Sequence, residues 1–209
     1  MNPLDDILES LRACRLCQGT FIHEPNPVVR LFSEAKVLII GQAPGRRVHS
    51  TSVPWNDPSG DLLRQWLGVN RDFFYDSGQI AIMPMGFCYP GKGKSGDLPP
   101  SPKCAPTWHQ VLLRHLPHVK LTLLVGSYAQ AYYLKALRKP SLQQTVSTWQ
   151  DYTPLGYFPM VHPSPRNRLW LRKKPWFEGD VIPHLRSLLF DIWDSLPPAD
   201  DWNHGGVER

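Results

Sequence analysis

The chain has little cysteine and no long apolar run. Four cysteines in 209 residues, Cys14, Cys17, Cys88 and Cys104, are too few and too spread for the disulfide framework of a small secreted domain. Leu121–Val125, five residues, is among the longest apolar stretches, far short of the roughly 20 that cross a bilayer. The acidic start, residues 1–6, lacks the apolar core of a secretory signal. Repeats and low-complexity segments are absent as well. A soluble intracellular protein is expected, cytoplasmic and nucleoid-associated if bacterial, with no membrane partner.

Proline is abundant, with 22 residues, and hydrophobic residues make up 42% of the chain, enough for one ordinary core. We expect a single, monomeric domain over residues 1–209, with its core at about 13–195 and a flexible tail at 196–209. Apolar spacing predicts helices over residues 4–13, 59–67 (with Ser59 as N-cap), 107–115, 127–137 and 181–193. Buried strands are predicted at Val37–Ile40, residues 80–83, Leu121–Val125 and residues 158–161. Strands separated by helices imply an α/β fold: a three-layer αβα sandwich around a central, mainly parallel four-stranded sheet. Prolines then gather in long loops at 55–58, 84–106 and 163–175, where function tends to reside.

Two strands end on turn-forming, polar motifs. Gly41-Gln42-Ala43-Pro44-Gly45 follows the first strand and His162-Pro163-Ser164-Pro165-Arg166-Asn167 the fourth. In an open parallel sheet these ends form the ligand crevice. The net charge of +5 is a mild bias towards polyanions. Clustering sharpens it: Arg166, Arg168, Arg172, Lys173 and Lys174 interleave with Leu169, Trp170 and Leu171. Such a segment could hold phosphates while an apolar side chain enters a base stack; a solvated charged loop is the plainer alternative.

The first motif, the Pro54-Trp55 and Gly60-Asp61-Leu62-Leu63 stretch and the His-Pro-Ser motif together resemble the uracil-DNA glycosylase superfamily, above all its iron–sulfur family 4 enzymes. Residues 162–167 also resemble the matching motif of the single-strand-selective monofunctional enzymes. The resemblance runs from about Ala13 to the last helix. It implies a DNA glycosylase of base excision repair that acts on uracil or a related deaminated base and leaves an abasic site. It implies DNA, single- or double-stranded, as partner, and Cys14, Cys17, Cys88 and Cys104 as ligands of a structural [4Fe–4S] cluster. Zinc in a Cys₄ site, or plain buried thiols, are the alternatives.

For the reaction, the resemblance assigns Trp55 as the ring on which a flipped base stacks and His162 as the group that stabilises the departing base. Gly41, Ala43 and Ser164 would complete the substrate pocket. Arg166, Asn167, Arg168, Arg172 and Lys173 would hold the backbone. No lysine is placed for Schiff-base chemistry, so the enzyme should be monofunctional.

Two positions depart from the family. Gln42 stands where family 4 enzymes usually carry Glu, and an amide orients water without accepting its proton. Asp57 is then the candidate carboxylate, with Asp61 a weaker one and a turn role as Asp57's alternative. Pro84 stands where a base-reading Asn is common, leaving backbone groups of Met85 and Gly86 as the candidate readers. His49 invites comparison with superfamily members that bind uracil-DNA covalently. A catalytically silent nucleic-acid-binding module is the competing reading.

Overall fold

The computed structural model describes residues 3–94 and 96–194. The predicted tail lies outside the described residues. In chain order the elements are α1 (Pro3–Arg12), β1 (Val37–Ile40), α2 (Arg46–Thr51), α3 (Pro58–Leu67), α4 (Arg71–Asp76) and β2 (Ile80–Ile82). A two-residue hairpin, β3 (Lys92–Gly93) and β4 (Gly96–Asp97), precedes α5 (Cys104–Leu113) and β5 (Leu121–Val125). Then come α6 (Ser127–Leu134), α7 (Leu142–Ser147), β6 (Tyr157–Met160), α8 (Arg168–Lys173) and α9 (Ile182–Trp193).

The large strands form a fully parallel sheet in the order β2-β1-β5-β6, with helices on both faces, as expected. Strand β1 is buried on both faces, which is why it reads as a continuous apolar run. Val37 and Ile39 face one core with Leu63, Trp66, Phe74 and Leu185; Leu38 and Ile40 face a second with Leu8, Leu11, Leu112 and Ala129. Helices α3 and α9 cover the first core and α1, α5 and α6 the second. The packed core therefore begins at Leu4, ahead of the expected residue 13.

Element ends differ where caps decide. Asp57, not Ser59, caps α3: its Oδ1 accepts the Gly60 N–H at 2.9 Å, and Pro58 takes the first helical position. Helix α5 starts three residues before expectation, with Pro106 tolerated in its first turn. Helix α6 stops at Leu134, where Lys135 turns to φ 49°. The segment read as a loop at 163–175 contains the short helix α8. No helix among the described residues is long and apolar enough to cross a membrane.

After β1 the chain adds β2 on one side and later β5 on the other, so the turn that follows β1 sits at the topological switch point of the sheet.

Candidate active site

A cleft of about 520 Å³ opens at this switch point. The two motifs do meet there: Gly41, Gln42 and Ala43 line it from β1, and His162, Ser164 and Asn167 from the end of β6. Trp55, Asp57 and Pro84 also line it, as does Arg166.

Trp55 is placed by a strained loop. Its φ is +57°, a left-handed conformation costly for a bulky residue, of order 1–3 kcal/mol. Buried groups hold it there. Arg64 Nη1 donates to the Trp55 carbonyl at 3.3 Å, and Tyr75 Oη donates to the Pro54 carbonyl at 2.7 Å. Asp61 pairs with Arg64 rather than lining the cleft, so this candidate carboxylate supports the Trp55 loop. A Cβ at Gly60 would overlap the Trp55 carbonyl oxygen, and one at Gly41 would stand 2.9 Å from the indole ring. Both glycines are therefore required by the close approach of Trp55.

The indole lies 5.4 Å from the His162 ring, centre to centre. Asn167 Nδ2 donates to the His162 carbonyl at 2.7 Å, fixing the backbone that carries the imidazole. Burial lowers the His162 pKa below 6.5, opposed by the Asp57 and Asp97 carboxylates, which favour the charged ring. A neutral imidazole with one N–H can donate to negative charge developing nearby. Ser164 Oγ accepts the Arg166 N–H at 3.3 Å, which leaves its own proton to donate. Asn167 thus supports His162 as well as facing the cleft.

Other expected residues are placed differently. The N–H groups of Met85 and Gly86 donate to the carbonyls of Gly41 and Gln42 at 2.9 and 3.0 Å. They brace the first motif, and neither residue lines the cleft, so these donors are not free to read a base. The Pro84 carbonyl accepts from Nε2 of buried His109 at 3.0 Å, while His109 Nδ1 meets the Tyr133 hydroxyl at 2.7 Å. His49 packs at a tilt beside His23 and Tyr89 outside the cleft lining. Arg168, Arg172 and Lys173 are exposed on α8 beside the cleft rather than in it. Of the apolar residues there, Leu171 is buried and Leu169 is 68% exposed.

Asp97, on the β3–β4 hairpin, lines the cleft and escaped the sequence reading. The Arg166 guanidinium packs on Gly96, and Gln42 Nε2 donates to the Leu98 carbonyl at 3.4 Å, drawing the hairpin over the cleft. The only signal for it was the proline-rich loop that carries it.

The four cysteines, far apart in sequence, line one small apolar cavity with Phe21, Pro25 and Phe87. Burial pushes the Cys88 thiol up to about 11 and Cys104 to about 12. Phe87 N–H donates to Cys104 Sγ at 3.4 Å, and Cys17 Sγ meets Ser101 Oγ at 3.2 Å. Among the described residues no group of three or more His, Cys, Asp or Glu side chains is arranged to hold a metal ion. Zinc needs all its sulfurs within about 2.3 Å of one centre. Four thiols on one cavity, with the Phe87 N–H aimed at Cys104 Sγ, also fit the ligand set of a cluster held at separate irons.

The family model of the uracil DNA glycosylase superfamily matches residues 30–186. The type-4 uracil-DNA glycosylase of Saccharolobus solfataricus is 24% identical over 177 residues, which span 78% of this chain and 77% of that protein. The family-model match spans the sheet and both strand-end motifs that meet in the cleft, and the chain belongs to the uracil DNA glycosylase superfamily.

Proposed function

We propose that the protein is a monofunctional DNA glycosylase of base excision repair that flips a uracil or related deaminated base into the 520 Å³ cleft and hydrolyses its N-glycosidic bond. The observation that carries this reading is the pair Trp55 and His162, neighbours 5.4 Å apart in the cleft lining. An aromatic face for a flipped base and a neutral donor for the departing one stand side by side. Breaking the bond builds positive charge on the sugar and negative charge on the base. His162 donates to the latter, and the fixed Trp55 ring limits how the base can sit. No lysine lines the cleft among the described residues, which supports hydrolysis over Schiff-base chemistry.

The DNA strand runs over Ser164, Asn167 and α8. The Ser164 hydroxyl donates to a phosphate, Arg168, Arg172 and Lys173 supply positive charge, and exposed Leu169 enters the gap left by the flipped nucleotide. Cys14, Cys17, Cys88 and Cys104 would hold a [4Fe–4S] cluster, whose contribution is to tie the end of α1 to the loop after β2. The protein acts as a cytoplasmic or nucleoid-associated monomer. Base preference rests on the cleft walls, because Pro84 offers no side-chain donor or acceptor.

Base release is the test, measured on single- and double-stranded oligonucleotides carrying uracil, hypoxanthine, xanthine or an oxidised pyrimidine. The wild type should release at least one base, and His162→Ala should lower that rate ~10²–10³-fold with DNA affinity kept. Iron and acid-labile sulfide in the purified protein test the cluster. DNA binding without release from any substrate would instead establish a silent binding module.

A further inference from the structure

We propose that Asp97 is the carboxylate that takes the proton of the attacking water, a role that rests on the glycosylase reading above. Hydrolysis needs an acceptor for that proton; the cleft lining offers Gln42 and two carboxylates, Asp57 and Asp97, that approach Gly45. The Gln42 amide cannot act as the base, and its Nε2 is engaged with the Leu98 carbonyl. Asp57 caps α3, with Oδ1 accepting the Gly60 N–H, so protonating its carboxyl would weaken the cap. Asp97 lies on β4 and caps none of the described helices.

Its geometry suits the task. Asp97 Oδ2 stands 3.6 Å from the point where a Cβ on Gly45 would lie, and Asp57 Oδ2 stands 4.0 Å from the same point. The two carboxylates thus approach one small gap from different elements, β4 and the start of α3, and glycine at 45 leaves that gap open. Asp97 Oδ1 meets the Tyr89 hydroxyl at 3.5 Å, which orients the group. Both carboxylates line the same cleft as His162 and favour its charged ring. The hairpin is anchored by Leu98 N–H on the Gly91 carbonyl at 2.9 Å, by Gln42 on Leu98 and by Arg166 on Gly96. Gln42 is therefore a positioning residue: it holds the strand end that presents the base.

The step balances without a further reactant. As the bond from C1′ to the base breaks, its electron pair leaves with the base beside His162. The water oxygen bonds to C1′, and its proton passes to the Asp97 carboxylate and then to solvent. Asp57 keeps its charge near the cationic sugar.

The experiment compares single-turnover base release and DNA affinity for wild type, Asp97→Asn, Asp97→Ala and His162→Ala. Asp97→Asn should release base at least ~100-fold more slowly while binding DNA within about threefold of wild type. Formate, a small carboxylate, should restore at least about tenfold of the rate lost in Asp97→Ala. Asp97→Asn within about threefold of wild-type rate overturns the assignment and leaves the glycosylase reading standing, because His162→Ala would still be impaired. A slow Asp97→Ala that formate does not rescue makes Asp97 a support for the hairpin and also overturns the assignment. A wild type that releases no base overturns the reading, and the assignment falls with it.

Discussion

Gly60→Ala sets two effects of opposite sign against each other. Gly60 is the third residue of α3, a site where alanine should favour the helix by about 1 kcal/mol. The added Cβ, however, would overlap the Trp55 carbonyl oxygen and stand 2.9 Å from the Trp55 Cβ. Both neighbours are backbone or backbone-proximal atoms, so no flexible side chain can give way. The Trp55 segment must retreat by about 1 Å or more, which breaks the Arg64 contact, worth about 1 kcal/mol. The indole then lifts off Gly41. Loss of part of its burial costs a further ~1–3 kcal/mol, so the net effect is destabilising by about 1–3 kcal/mol. For a chain of this size that is a fall in Tm of roughly 2–12 °C. Base release suffers more, because a displacement of about 1 Å in a positioning group costs ~100-fold. Single-turnover release and calorimetric melting read the two quantities on one sample. A variant that melts higher than wild type and keeps its rate within about threefold would show that helix propensity dominates and that the Trp55 loop has slack.

Two further substitutions probe the cleft wall and the DNA face. Burial lowers the His109 pKa from 6.5 to about 4, so the folded protein disfavours the charged ring relative to the unfolded chain. The stability this carries is intact above about pH 6.5 and drains away as pH falls towards 4, amounting to about 2 kcal/mol at pH 5. Urea unfolding at pH 8 and pH 5 should therefore show a smaller pH loss in His109→Gln, which can still donate to the Pro84 carbonyl; equal losses would contradict the neutral, buried imidazole. Leu169→Ala should leave stability within about 0.5 kcal/mol, since the side chain is 68% exposed, and slow release from duplex about tenfold more than from single strands. An equal effect on both substrates would exclude a wedge role.

Legibility followed the range of the forces involved. Strands β1 and β5 could be read because burial on both faces leaves an unbroken apolar run, and parallel topology then carries their ends to one crevice. Hence Gly41, Gln42, His162 and Ser164 could be placed together from sequence order alone. The Asp57 cap was also within reach, since Pro58 at the first helical position marks residue 57 as the boundary. Met85 and Gly86 were located at the correct strand end, but which way a backbone N–H turns depends on its partner, here the Gly41 and Gln42 carbonyls.

Asp97 lay beyond any local pattern. It reaches the cleft because a two-residue hairpin folds back across it, held by Gln42 and Arg166 from the two strand-end motifs. The same residues that look like an altered water site and a phosphate clamp in the sequence thus act on a third segment. The amide at position 42 has a use of its own: it donates to the Leu98 carbonyl, whereas an ionised carboxylate would be repelled by it. Gln42→Glu should therefore loosen the hairpin and lower base release, even though it adds a group able to accept a proton. Faster release in that variant would mean that position 42 itself handles water.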